Sequence, residues 1–193
     1  MKRGMPRRGR EGVRWVAAAL LVAMGCSGSS DPGGGFAGTV DPAFAPVPDM
    51  PGARVTLVES SVRNGRITLD LVLSEIADPV SGVAIKLSYP AEFSRFIACR
   101  DGNLFPPGRC IEEEPPGLGE VFLSLTIINP EPPVDASGSA IAARLEFLVF
   151  EVGGPVAIEF EGQNLAGSDA SAVLDVRGDP IFVNWYAGDI SGQ

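Results

Sequence analysis

A chain of 193 residues without a single histidine has little of the usual catalytic chemistry within reach. Ser-His-Asp and Cys-His nucleophile systems are excluded, and so are the common His-bearing zinc sites. Three cysteines remain (Cys26, Cys99 and Cys110), together with two groups of carboxylates and a few side chains suited to holding a ligand. Glu112-Glu113-Glu114 runs into Pro115-Pro116-Gly117, which reads as a solvated loop. A glycosidase needs two carboxylates fixed across a cleft, and nothing in the pattern builds one. Asp169, Asp175 and Asp179 lie near one another but lack the alternating ligand spacing of a calcium loop. The expectation is a protein that is not an enzyme and has no cofactor, with calcium kept only as an alternative.

The ligand-holding candidates are aromatic and apolar. Trp185 and Tyr186 adjoin, and in a strand Val183 and Trp185 share one face while Phe182 and Tyr186 share the other. Trp185 and Tyr186 are therefore candidates for stacking on a sugar, with Gln163 and Asn164 as amide partners or, equally, as turn formers. Leu148 and Phe150, like Phe122 and Ile128, fall on the outward side of their strands. Either these mark a second buried face or they form an apolar docking patch.

Charge narrows the partners. Six of the 15 Lys/Arg and one of the 24 Asp/Glu fall in residues 1–25, which leaves nine basic and 23 acidic residues beyond, a net of −14. So acidic a surface repels phosphate backbones and anionic lipid, so neither nucleic acid nor adhesion to membrane by charge is expected.

The cysteines divide by context. A basic segment precedes the apolar run Trp15–Met24, too short to span a bilayer and of the length of a signal-peptide core. The run ends in Ala23-Met24-Gly25-Cys26 followed by Ser27-Gly28-Ser29-Ser30, which resembles a bacterial lipobox. That resemblance implies cleavage before Cys26, its lipidation, and delivery to the outer membrane or cell surface, since Ser27 is not Asp. Export to an oxidising compartment lets Cys99 and Cys110 pair across the segment CRDGNLFPPGRC.

The elements that position these residues are strands. Ile67, Leu69, Leu71 and Leu73 alternate with polar neighbours. The same rhythm runs through Val83–Tyr89, Val121–Ile127, Ile141–Val149 and Val156–Phe160. Sheets that pack on one side only show this two-residue period. Asn64-Gly65 between two such runs signals a hairpin with a type I′ turn. Eight or nine short strands separated by Gly and Pro turns predict an all-β, two-sheet antiparallel sandwich. Residues 1–25 read as leader, 26–52 as a Gly/Ser/Pro-rich tether and 53–193 as the sandwich, with an edge strand from Val40 to Phe44 as the alternative for part of the tether.

Within the sandwich, Gly82-Val83-Ala84-Ile85-Lys86-Leu87-Ser88-Tyr89-Pro90, then Phe93 and Phe96–Phe105, together with Ser139–Val149, resemble the cohesin domain. The likeness spans roughly residues 54–187. It implies a nine-stranded jelly-roll shared with carbohydrate-binding modules, and a sheet face that in cohesins docks a calcium-loaded dockerin. The sequence departs from the family at Tyr89-Pro90, where an intervening Asp is missing, and in the Cys99–Cys110 segment, which reads as an insertion. The functional expectation is a surface-anchored module for protein–protein adhesion with a dockerin-like partner; the alternative is a module for extracellular polysaccharide. Trp185→Ala discriminates between them: loss of polysaccharide retention at unchanged stability marks a sugar contact, and a large loss of stability marks a core residue.

Overall fold

The computed structural model describes residues 40–113, 119–128, 131–150, 154–165 and 170–192. The leader, Cys26, the first part of the tether, Glu114 and Asp169 lie outside the described residues, as does the side chain of Glu113. The described residues contain thirteen strand segments and no helix.

The two-residue rhythm becomes two sheets. β2 (Arg54–Arg63) and β3 (Arg66–Val80) form the expected hairpin, with Asn64 and Gly65 at φ 52° and 73° as a type I′ turn requires. β3 then pairs along its length with β8 (Val134–Val149), which also pairs with β5 (Ser94–Asp101). β12 (Asn184–Tyr186) completes the five-stranded sheet, in the order β12-β2-β3-β8-β5. β12 runs parallel to β2, so the all-antiparallel expectation is corrected at this one pair.

The second sheet has eight strands built around β4 (Gly82–Ser88). One edge of β4 takes β7 (Glu120–Thr126) and then β6 (Cys110–Glu113). The other edge is shared end to end by β10 (Ala172–Leu174) and β9 (Val156–Phe160). Between them Ser171, fully buried, spans the gap: its hydroxyl accepts the Lys86 amide at 3.0 Å and donates to the Lys86 carbonyl at 3.1 Å. β11 (Pro180–Ile181) extends β10, and β13 (Gly188–Gly192) extends β9.

The tether reading changes at its C-terminal part. Pro42–Pro46 forms β1, antiparallel to β13. This is the edge-strand alternative, shifted two residues along the chain. The prolines stand at the two ends of an edge strand, where a missing N–H costs least. Phe44 is buried, and its amide donates to the Glu59 carboxylate at 2.9 Å. Arg54 reaches Asp49 at 2.7 Å and Glu75 at 2.5 Å, and Glu75 also accepts the Gly52 amide, so the connection into β2 is tied down as well.

The core lies between the inward rows. Ile67, Leu69, Leu71 and Leu73 face Val83, Ile85 and Leu87 of β4 and Val121, Leu123 and Leu125 of β7 within one cluster. Phe147 stands among them with the rings of Tyr89 and Phe96 edge-on at 5.6 and 5.4 Å. Each such fully buried aliphatic or aromatic side chain contributes about 1.5–3 kcal/mol. Every buried core residue among the described residues lies between Phe44 and Ile190, so residues 36–193 have what they need to fold by themselves.

The cysteine pair closes one side of the sandwich. Cys99 on β5 and Cys110 on β6 form a disulfide with a Cα–Cα distance of 6.1 Å, joining the edge strand of one sheet to an edge strand of the other. The Cys99 amide donates to Glu112 at 2.8 Å alongside it. The loop between is built from hydrogen bonds and one buried ring. Asp101 accepts the Gly108 and Arg109 amides, which hold its carboxyl below the usual carboxylate range. Asn103 accepts the Ile141 amide at 2.8 Å, and Phe105 is buried. At Gly102 any Cβ would collide with the Ile141 carbonyl, so only glycine fits there. Replacing both cysteines by serine should lower the unfolding free energy by about 3 kcal/mol, the chain-entropy value for a loop of this size, read as a drop in the urea midpoint; an unmoved midpoint would contradict the stapling role.

Candidate functional site

A sandwich exposes two sheet faces, and their outward rows follow from the register. On the eight-stranded sheet Lys86 stands opposite Phe122, Ala84 opposite Ser124 and Ser88 opposite Glu120. Lys86 Nζ lies 5.3 Å above the Phe122 ring and 3.4 Å from Glu120, so the cation is held between an aromatic face and a carboxylate. The neighbours Ala84, Ser88 and Ser124 are small, which leaves this pair as the relief on a flat surface. Ile111 on β6 lies across from Ser124 and is 64% exposed. Among the described residues, the face thus combines a half-buried ring, an exposed aliphatic side chain, a cation and rim carboxylates that include Glu120 and Glu159. That mixture of apolar anchors within a polar rim suits a protein partner.

The structure scatters the apolar candidates. Leu148 points outward on the five-stranded sheet, half-buried, in one row with Arg66 and Arg95. Phe150 lies past the end of β8, half exposed, with its amide on the Phe93 carbonyl at 2.8 Å. Phe122 belongs to the other sheet, and Ile128 follows the end of β7. The expectation of a patch joining these residues is therefore corrected: alternation predicts in or out for each strand, whereas a patch depends on which strands are neighbours.

Trp185 is corrected too. It is 8% exposed, its ring packs against Phe160 at 5.0 Å, and its indole N–H donates to Asn164 Oδ1 at 3.1 Å. Asn164, at φ 57°, also accepts the Val183 amide and donates to the Val183 carbonyl. The amide and the indole thus bind each other and pin the turn to the strand, and the ring is buried. Tyr186 is half-buried on edge strand β12, opposite Thr56. A cleft of about 370 Å³ beside Trp185 is lined by Gln163, Glu159, Glu161 and Asp189, and Gln163 gives its amide to the Phe160 carbonyl.

The carboxylates with shifted acidity are all pulled downward. Glu75 and Glu146 are held low first by arginine hydrogen bonds, Asp101, Asp135 and Asp175 by backbone amides. Asp175 serves its own turn, accepting the Arg177 and Asp179 amides at 2.7 and 2.9 Å. These groups act as structural acceptors, whereas a general acid needs the opposite shift.

Sequence reading missed Ile111, although its place after an inward-facing cysteine marks it as outward. It also missed the alignment of five arginines on the five-stranded sheet, which depends on strand neighbours.

Trp185→Ala should cost about 3–5 kcal/mol, seen as a large fall in thermal midpoint, because it empties a packed aromatic site and orphans Asn164; a variant of wild-type stability would restore the ring to the surface.

No family model matches this chain, and no curated protein matches it in sequence. Solved structures do match in fold. The chain CaCohA2 of Clostridium acetobutylicum, in complex with CaDoc0917, superposes with a TM-score of 0.57 at 16% identity, covering 70% of this chain and 96% of that one. A type I cohesin–dockerin complex from Clostridium thermocellum gives 0.56 at 11% identity, covering 72% and 97%. The sixth cohesin of scaffoldin B from Acetivibrio cellulolyticus, in complex with the Cel5 dockerin, gives 0.55 at 14% identity, covering 71% and 95%. The chain therefore has the cohesin-like β-sandwich fold.

Proposed function

We propose that this domain is a non-catalytic module that docks a protein partner through the outer face of the eight-stranded sheet, centred on Lys86, Phe122 and Ile111. The observation that carries the reading is the fold, shared over nearly the full length of cohesins solved with dockerins bound. The flat surface, with its small residues around one cation–aromatic pair, supports it independently. The polysaccharide alternative loses its stacking platform with Trp185 buried. A dockerin-like protein is the first partner to test, with calcium as a variable because the partner, not this domain, would carry it.

The sequence supports a second part of the proposal: Cys26 carries lipid and the module is displayed at the cell surface or outer membrane.

Residues 36–193, immobilised and challenged with the secreted proteins of the encoding organism with and without calcium, should retain a defined protein. Ile111→Asp, at an exposed edge position, should weaken that retention at least tenfold while leaving the thermal midpoint almost unchanged. Equal retention by the variant would remove this face, and recovery of no protein would remove the reading. For the anchor, Cys26→Ser should shift the full-length chain from the membrane to the soluble fraction; an unchanged distribution would refute lipidation.

A further inference from the structure

The opposite face of the sandwich gathers arginines. Beyond residue 25 the chain has nine basic residues, and five of them (Arg63, Arg66, Arg95, Arg100 and Arg144) fall on the outward rows of β2, β3, β8 and β5. Register aligns them. Arg63, Arg66 and Arg95 share the row that contains Leu148, and Arg144 and Arg100 share the row that contains Asp70. The carboxylates that lie among these arginines are Asp70, in the second row, and Glu146, in the row between the two, and both are sunk beneath the arginines, at 13% and 12% side-chain exposure. Glu146 takes Arg66 at 2.5 Å on one oxygen and Arg100 at 3.1 Å on the other. Arg144 Nε lies 3.4 Å from Asp70. The acids fix the guanidiniums from below, while Arg66 and Arg100 keep 49% and 67% of their side chains in solvent. Arg63 and Arg95 have no ion pair among the described residues.

At the hairpin end of this face lies a groove of about 390 Å³ lined by Ser61, Arg63, Asn64, Arg66, Thr68 and Glu146, with Val62 its one apolar member. Its volume falls in the range of small-ligand sites. The β2 bulge between Glu59 and Ser61 shapes its wall. Chemically it offers the free guanidinium fork of Arg63, which matches a carboxylate bidentately, and the N–H groups of Arg66 that Glu146 does not hold, beside two hydroxyls and an amide, which match sugar hydroxyls. A lipid surface would need apolar side chains to insert, and Val62 is the groove's one apolar residue; a peptide adding to β2, whose edge is unpaired beyond Thr56 among the described residues, would need apolar pockets beside it, which this polar lining lacks.

We propose that the Arg63–Arg66 groove is a binding subsite for an acidic polysaccharide, a chain of uronate-type sugars that continues along the arginine rows toward Arg95 and Arg100. This site lies on the sheet face opposite the one assigned to the protein partner, so one domain can hold both. The mature chain's net negative charge does not forbid it. At physiological salt, charges more than about 8 Å away are largely screened, and the local face decides.

The test is affinity electrophoresis of residues 36–193 in native gels containing polygalacturonate, neutral dextran or polyglutamate. Polygalacturonate should retard the domain at physiological salt, with retardation fading as sodium chloride is raised further; dextran and polyglutamate should not. Arg63→Gln, which breaks no ion pair, should weaken the interaction at least tenfold at an unchanged unfolding midpoint. Arg177→Gln, an exposed arginine in the turn between β10 and β11, removes the same charge and should have no effect, as should Ile111→Asp. Equal retardation by polyglutamate would overturn the proposal in favour of an acidic polypeptide. Absence of retardation by polygalacturonate, or equal loss in Arg177→Gln, would overturn it outright.

Discussion

The register of β3 against β8 is the constraint on which the rest of this domain depends. Their ladder runs from Arg66 opposite Leu148 to Val80 opposite Val134, interrupted by bulges. It sets Ile67, Leu69 and Leu71 against Phe147, Leu145 and Ala143 on the inner side, and thereby sets Arg66, Thr68 and Asp70 against Leu148, Glu146 and Arg144 on the outer. A slip of one residue would exchange the two sets, placing arginines in the core and leucines in water. The cost of that exchange is many times the net stability of a domain, so the surface pattern is specified by the hydrophobic core beneath it. Where bulges occur, between Leu71 and Val72 and again between Phe96 and Ala98, the alternation is reset locally, and Ala142 and Ala143 are both buried as a result.

The two faces this register creates are chemically opposed. On the eight-stranded side a lone lysine is clasped by an aromatic ring and a glutamate among small residues. On the five-stranded side arginines crowd above two submerged carboxylates. Glu146 illustrates how this is held. Its two oxygens are engaged by guanidiniums from different strands, and that pairing keeps its carboxyl below the usual carboxylate range. The negative charge therefore persists to well below neutral pH, and with it the positions of Arg66 and Arg100. Arginine's planar, rigid fork makes this possible in a way a lysine would not.

How much of this was legible in the sequence follows from which forces act locally. The inward rows could be read because burial repeats every second residue, and the hairpin because Asn64-Gly65 supplies positive φ at both turn positions. The Cys99–Cys110 bond was legible because the leader-like N-terminal run led an oxidising compartment to be expected. The short strands were not. β1 hides within proline-rich sequence because an edge strand tolerates proline at its ends, and only the ring of Phe44 marks it as folded. Trp185 looked like a surface ligand contact because its partner, Asn164, is distant in sequence and looks like an ordinary turn former. The arginine rows were invisible for the same reason: Arg63, Arg66, Arg95, Arg100 and Arg144 become neighbours only after four strands are placed side by side.

The pairings β1 with β13 and β2 with β12 join the first strands to the last. A polypeptide emerging from its N-terminus cannot complete either contact until residues up to Gly192 are available, however early the central hairpin forms. Trp185 and Ile190, both core residues, arrive at the same late moment. Such long-range closure gives high contact order and hence slow acquisition of the native state. Until then the outer edges of β2 and the seat of Phe44 stay uncovered, and the chain remains threadable. Under the export proposed above, a sandwich latched by its final strands would suit a chain that crosses a membrane before it folds.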